Sequence, residues 1–195
     1  MGDAERVFTI GHSNHTVERF IQLLMEYKVN VLVDVRSQPY SKYASQFNME
    51  QLKQTLLEAK IRYLHMGKEL GGRPDRQDYY DSEGYVLYNK IAEDELFRQG
   101  IHRLETGIQD YRVVLMCSEE DPSQCHRHLL ISRILAKDGI DVNHIRGNGY
   151  LQPENELIAQ EEKKQLRLFG GKEEPAWRSI QSVIPRKEPH SSSHG

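Results

Sequence analysis

The stretch Asn30-Val31-Leu32-Val33-Asp34-Val35-Arg36 decides the fold. Val31, Leu32 and Val33 are all apolar, so neither alternating face is left for water, and charge enters only toward the carboxyl end. A strand buried on both faces belongs to a parallel sheet with helices on each side. Arg112-Val113-Val114-Leu115-Met116-Cys117 has the same character and supplies a second interior strand.

Outward from these runs, strand and helix periodicities alternate. Residues 7–10 form a short β-prone run ending in Gly11-His12-Ser13, and Thr16 precedes a helical pattern carrying Val17, Phe20, Ile21, Leu24 and Met25. Asn48 is placed to cap a helix holding Met49, Leu52, Leu56 and Leu57, and 61–66 is a third strand. Residues 85–111 read as one bent helix or two, with Leu87, Ile91, Leu96, Ile101, Leu104 and Ile108 facing the core. A helix over about 122–137 and a last strand over 141–145 follow. The expected fold is α/β: an open, mostly parallel sheet with flanking helices in a Rossmann-like three-layer arrangement with right-handed crossovers. Residues 1–150 are expected to form this domain, 151–171 a charged helical extension, and 172–195 a flexible tail with Pro175, Pro185 and Pro189.

A chain of 195 residues, 37% hydrophobic and 28% charged, suffices for one core. No apolar stretch approaches the roughly 20 residues needed to span a bilayer. The opening MGDAERVFTIGHS has no basic-then-apolar signal segment, and two cysteines are too few for a disulfide framework. A cytoplasmic location without membrane attachment is therefore expected. The net charge of −3 argues against broad polyanion binding, while a local basic patch stays compatible with phosphate or nucleic acid.

Open α/β sheets bind ligands beyond the carboxyl ends of their strands. The residues at those ends are Gly11, His12 and Ser13; Asp34 and Arg36; Gly71 and Gly72; Cys117, Ser118 and Glu119; His144 and Arg146. Asp34 and Arg36 share a face, which suits an internal ion pair or a ligand contact through Arg36. Asp121 and Pro122 are placed to start a helix whose positive end welcomes an anion. On that helical wheel Arg127 points into the crevice and Cys125 points away from the buried face. Cys117 is then the expected reactive thiol, its pKa lowered by the helix end and two arginines, with Glu119 and His126 to move protons. The alternative is a buried, inert Cys117.

Cys117, Cys125, His126, His12 and His144 lack the paired spacing of a zinc site, so no metal is assigned. Gly71-Gly72 comes without either standard nucleotide-binding glycine pattern, and no particular cofactor is indicated. A C-x5-R phosphatase loop is excluded because position 123 is Ser123. The chain resembles the sulfurtransferase rhodanese at 33–36 and at the strand ending in Cys117. The acidic segment 118–124, however, puts carboxylates where that family uses backbone amides.

Thr9-Ile10-Gly11-His12-Ser13, Asp34-Val35-Arg36, Leu70-Gly71-Gly72, Cys117-Ser118-Glu119, Cys125-His126-Arg127 and His144-Ile145 together resemble the family catalogued as domain of unknown function 488. The resemblance covers about 7–150 and implies an α/β domain without an assigned reaction.

The reading that follows is a cytosolic enzyme, a thiol-dependent transferase or hydrolase, that binds an anionic small molecule such as a nucleotide or phosphorylated metabolite. Cys117, Glu119 and His126 are the candidate catalytic groups. His12, Ser13, Asp34, Arg36, Gly71, Gly72, Cys125, Arg127 and His144 are the candidate substrate contacts. One alternative is a noncatalytic module holding nucleic acid or a partner protein through the same arginines and the loop with Tyr79 and Tyr80. Another is a metal-binding or thiol redox protein. The sequence sets neither the substrate nor the oligomeric state.

Overall fold

The computed structural model describes residues 5–169 and 176–183. Strands β1 (Arg6–Gly11), β2 (Val31–Asp34), β3 (Arg62–His65), β4 (Val113–Cys117) and β5 (Asp141–Ile145) run parallel. A sixth strand, β6 (Leu151–Pro153), pairs antiparallel with β5, so β5 is not the last strand as expected. The order across the sheet is β3-β2-β4-β1-β5-β6.

Residue alternation along the strands builds the three layers. Phe8, Ile10, Leu32, Val114 and Met116 pack against Phe20, Leu23 and Leu24 of α1 (Val17–Glu26) and Leu52 and Leu56 of α2 (Met49–Glu58). Their neighbours in sequence, Val7, Val31, Val33, Val113 and Leu115, face the other way. They meet Ile91 of α4 (Tyr88–Glu93), Phe97, Ile101 and Leu104 of α5 (Glu95–Asp110), and Leu135 of α6 (Arg133–Lys137). Each such fully buried side chain contributes roughly 1.5–3 kcal/mol. A short helix, α3 (Gly67–Leu70), follows β3.

The chain crosses the sheet one way through β1, β2 and β3, then returns through β4 to β5, and right-handed crossovers put the two sets of helices on opposite faces. β4 therefore lies between two strands whose outgoing connections leave on the other face. The loops part at its carboxyl end, where Cys117 sits.

Several local expectations are revised. Thr16 does cap α1, its hydroxyl accepting from the Arg19 amide, but Asn48 makes no such bond at α2; its Oδ1 accepts from the Ser41 amide at 2.7 Å. Met25, Leu57 and Leu96 face solvent at 61%, 68% and 47% exposure, because the i, i+3, i+4 stripe runs instead through Phe20, Leu23 and Leu24, Leu52 and Leu56, and Phe97 and Ile101. The helical region 85–111 is two helices, broken at Asp94, whose side chain caps α5 by accepting from the Leu96 and Phe97 amides.

The helix expected to start at Pro122 does not. Asp121 and Pro122 support only a 3₁₀ turn, Pro122–Gln124, and Cys125 is extended (φ −132°, ψ 142°). The helix begins after it, first as a π-helical turn, Arg127–Ser132, that continues into α6. π turns are uncommon and cluster at functional sites.

After β6 comes α7 (Glu154–Phe169), which buries Glu154 and Leu157 against the domain. Residues 176–183, expected as flexible tail, pack on the domain. The Trp177 indole donates to the Leu129 carbonyl at 2.6 Å, and Ser179 exchanges hydrogen bonds with Val86. The rest of the expected tail, and the Leu166 and Phe169 side chains, lie outside the described residues. No helix among the described residues is long and apolar enough to cross a membrane.

Candidate functional site

The loops after β1 and β4 are laced together. The His12 amide donates to the Cys117 carbonyl at 2.9 Å, and the Ser13 amide to the Ser118 carbonyl at 2.8 Å. Gly11 makes this possible, since a Cβ there would lie 1.7 Å from the Glu119 carbonyl oxygen. Gly11→Ala is expected to force that loop away and cost roughly 1–3 kcal/mol, as overpacking does. A denaturation midpoint equal to that of the wild type would refute the contact.

At the end of β4 four candidate residues converge. Cys117 donates its thiol proton to Glu119 Oε2 at 3.1 Å, and its sulfur is 3.8 Å from His126 Nδ1. Cys125 Sγ is 3.7 Å from the same nitrogen. The other ring nitrogen, Nε2, lies 3.1 Å from the Val35 carbonyl, which fixes it as a donor and leaves Nδ1 for sulfur. Gly72 lies against this ring: a Cβ there would stand 2.7 Å from it. Gly71 sits beside the Ser37 hydroxyl, which also accepts the Arg73 amide at 2.9 Å.

Both thiols are buried, and the revised helix start turns Cys125 inward, contrary to the expectation that it points away. Its carbonyl accepts the first amides of the helix, from His128 and Leu129, and its sulfur accepts the Arg127 amide at 3.4 Å. Cys125 is thus the residue that caps the helix, where partial positive charge favours a thiolate.

Burial opposes ionisation of Cys125, but the adjacent Cys117 thiol and the charges of His126 and Arg127 outweigh it and hold its pKa well below that of a free thiol. Cys117 goes the other way. The adjacent Cys125 sulfur, its burial and the charges of Cys125 and Glu119 push it well up. Burial disfavours the charged form of His126, yet the Cys125 charge and hydrogen bond raise its pKa. Desolvation and the Cys125 charge raise Glu119.

His12, Asp34 and Arg36 form a second cluster. Arg36 donates to Asp34 through Nε at 2.9 Å and Nη2 at 2.6 Å, and to the Phe47 carbonyl at 2.8 Å. Tyr63, which belongs to no motif, donates to Asp34 at 2.8 Å. His12 stacks on Phe47 with ring centroids 4.5 Å apart. Its Nδ1 donates to the Ser13 carbonyl, and Nε2 accepts from Arg36 at 3.1 Å. Burial foremost, with the Arg36 charge, lowers the His12 pKa to about 4, so the ring is neutral. Of the two readings of Asp34 and Arg36, the internal ion pair is the one formed.

Arg127 does not reach the crevice. It is completely buried, and its guanidinium donates to Thr9 Oγ1 and to the carbonyls of Glu119 and Glu120. From Thr9 hydrogen bonds continue through His144 (2.7 Å) to Glu154 (2.6 Å) and His128 (2.9 Å), and an ion pair joins His128 to Glu161 (3.2 Å). His128 and Glu154 carried no motif; their positions matter only through contacts made across the fold. Tyr79 is buried with its hydroxyl on Asp94, and the Tyr80 hydroxyl is bound to the Pro74 carbonyl, so neither is an open stacking platform.

Among the described residues, two groups have the donor set for a metal ion: Cys117, Cys125 and His126, and His128, His144 and Glu154. In each, the ligand atoms lie within 4.8 Å of one another. In the second, the inner nitrogens already engage Glu154 directly and the buried Arg127 charge stands nearby, which disfavours a cation.

A family profile described as domain of unknown function DUF488 matches residues 16–134. The chain belongs to that family. The matched span of the DUF488 domain includes the whole thiol cluster, Asp34 and Arg36, while Gly11, His12, Ser13 and His144 fall outside it. Comparison with curated proteins and with solved structures gave no match.

Proposed function

We propose that this DUF488 protein is a thiol-dependent enzyme, a transferase or hydrolase, whose nucleophile is Cys125. The observation that carries the reading is the position of His126 Nδ1, 3.7 Å from Cys125 and 3.8 Å from Cys117, with Nε2 fixed on the Val35 carbonyl. A cysteine at a helix start beside an imidazolium is a standard way to make a nucleophilic thiolate at neutral pH. The thiolate attacks an electrophilic centre, and His126 Nδ1–H hands its proton to the departing group. Glu119, raised in pKa, then accepts a proton from the water or acceptor that cleaves the covalent intermediate. Cys117 keeps its proton, held by Glu119, and takes no part in these steps.

The anionic substrate expected from the sequence has no open guanidinium in Arg36 or Arg127 to meet it. Arg73 is the better candidate for that role. It is exposed, it follows Gly72, which lies against His126, and its backbone is held by Ser37. Free thiols fit the reducing cytoplasm in which we place the protein.

The test is titration of thiolate ultraviolet absorbance, which does not require reagent access. Wild-type protein is expected to show one sulfur ionising well below the free-cysteine pKa of about 8.5. That step should vanish in Cys125→Ser and move upward in His126→Gln. A wild-type titration with no such step, or one that emerges only after a chelator is added, overturns the reading.

A further inference from the structure

A single-nucleophile enzyme has no use for a second thiol against the first. Here the second sulfur lies within 4.8 Å of Cys125 and shares His126 with it, while its proton is held by a carboxylate. We infer that Cys117 is the resolving thiol of Cys125, and that a small hydroperoxide converts the pair into an internal Cys117–Cys125 disulfide. The inference rests on the assignment of Cys125 as nucleophile and adds a modification of that same site.

Access selects the class of oxidant. Cys117 and Cys125 are 4% and 2% exposed. A bulky disulfide cannot align with either sulfur without opening the fold, whereas a hydroperoxide presents a single small oxygen. In the first step Cys125 sulfur attacks the terminal oxygen of the hydroperoxide. A sulfur–oxygen bond forms, the oxygen–oxygen bond breaks, and the alkoxide or hydroxide leaves with the proton from His126 Nδ1. Cys125 is then a sulfenic acid.

In the second step Glu119 takes the Cys117 proton and the Cys117 sulfur attacks the Cys125 sulfur. The sulfur–sulfur bond forms, the sulfur–oxygen bond breaks, and hydroxide leaves as water with the proton carried by Glu119. Two thiols are oxidised and one peroxide is reduced to an alcohol and water. Closure brings the sulfurs from within 4.8 Å to a bond of roughly 2 Å. Cys125 can supply that movement, since it is an extended residue between a 3₁₀ turn and the start of the helix.

Both cysteines fall in one tryptic peptide, 113–127. The experiment treats the full chain with one equivalent of hydrogen peroxide and reads that peptide by mass spectrometry. The expected result is loss of two hydrogens, restored by a dithiol reductant. In Cys117→Ser the peptide instead gains one oxygen that a sulfenic-acid trap captures, and in Cys125→Ser it is unchanged. A wild-type peptide that gains oxygens without losing hydrogens, or a disulfide between two molecules, overturns the inference. An intact low thiolate titration together with either result overturns this inference alone. Loss of the low titration removes the nucleophile assignment and this inference with it.

Discussion

Arg127→Met is expected to destabilise the protein by roughly 3–5 kcal/mol, because three buried acceptors lose a charged donor at once. The side chain is completely buried and donates to three acceptors on two loops: Thr9 Oγ1 and the carbonyls of Glu119 and Glu120. Methionine fills similar volume but offers no donor, and each buried acceptor left without a partner costs roughly 1–3 kcal/mol. The loop that carries Glu119 would also lose its anchor, and Cys125 would lose a positive charge that favours its thiolate. The measurement is equilibrium denaturation, with the thiolate titration as a second readout. A midpoint within error of the wild type would show that Arg127 is not the clamp described here.

Stability is expected to peak near pH 6.5 and fall on both sides. His128 is buried, which opposes its charge, but its hydrogen bonds to Glu154 and Glu161 raise the pKa from 6.5 to about 9. The folded state therefore holds this proton more tightly than the unfolded chain. The gain, about 3 kcal/mol at 1.36 kcal/mol per unit, is fully present below pH 6.5 and is lost as pH rises through about 9. His12 acts in the opposite direction. Its pKa is lowered to about 4, so between pH 6.5 and about 4 the unfolded chain takes up a proton that the fold refuses, at a similar cost. Urea midpoints measured across this range should trace both limbs. His128→Asn should flatten the alkaline one and His12→Asn the acid one, and a level wild-type profile from pH 7 to 9 would contradict the His128 assignment.

The layered fold was legible because burial on two faces leaves a local mark. The runs around Val31–Asp34 and Val113–Cys117 are apolar at consecutive positions, and only interior parallel strands need that. The edge strand Leu151–Pro153 left no such mark, being three residues long, paired along one edge with β5 and with little periodicity of its own. Asp121 and Pro122 are a sound helix start in isolation. The chain satisfies them with a single 3₁₀ turn, so that Cys125 can turn inward and Arg127 can reach the carbonyls of Glu119 and Glu120.

By itself the sequence determined the α/β class, the interior strands and the set of polar residues gathered at their carboxyl ends, because each depends on residue order within one element. Only the tertiary structure decided which of those residues meet. It divided them among the thiol cluster at His126, the ion pair of Asp34 and Arg36, and the buried chain from Arg127 to Glu161. It also set the two cysteines apart in acidity, since burial and the inward turn of Cys125 at the helix start decide which of the charges along 117–127 each sulfur meets.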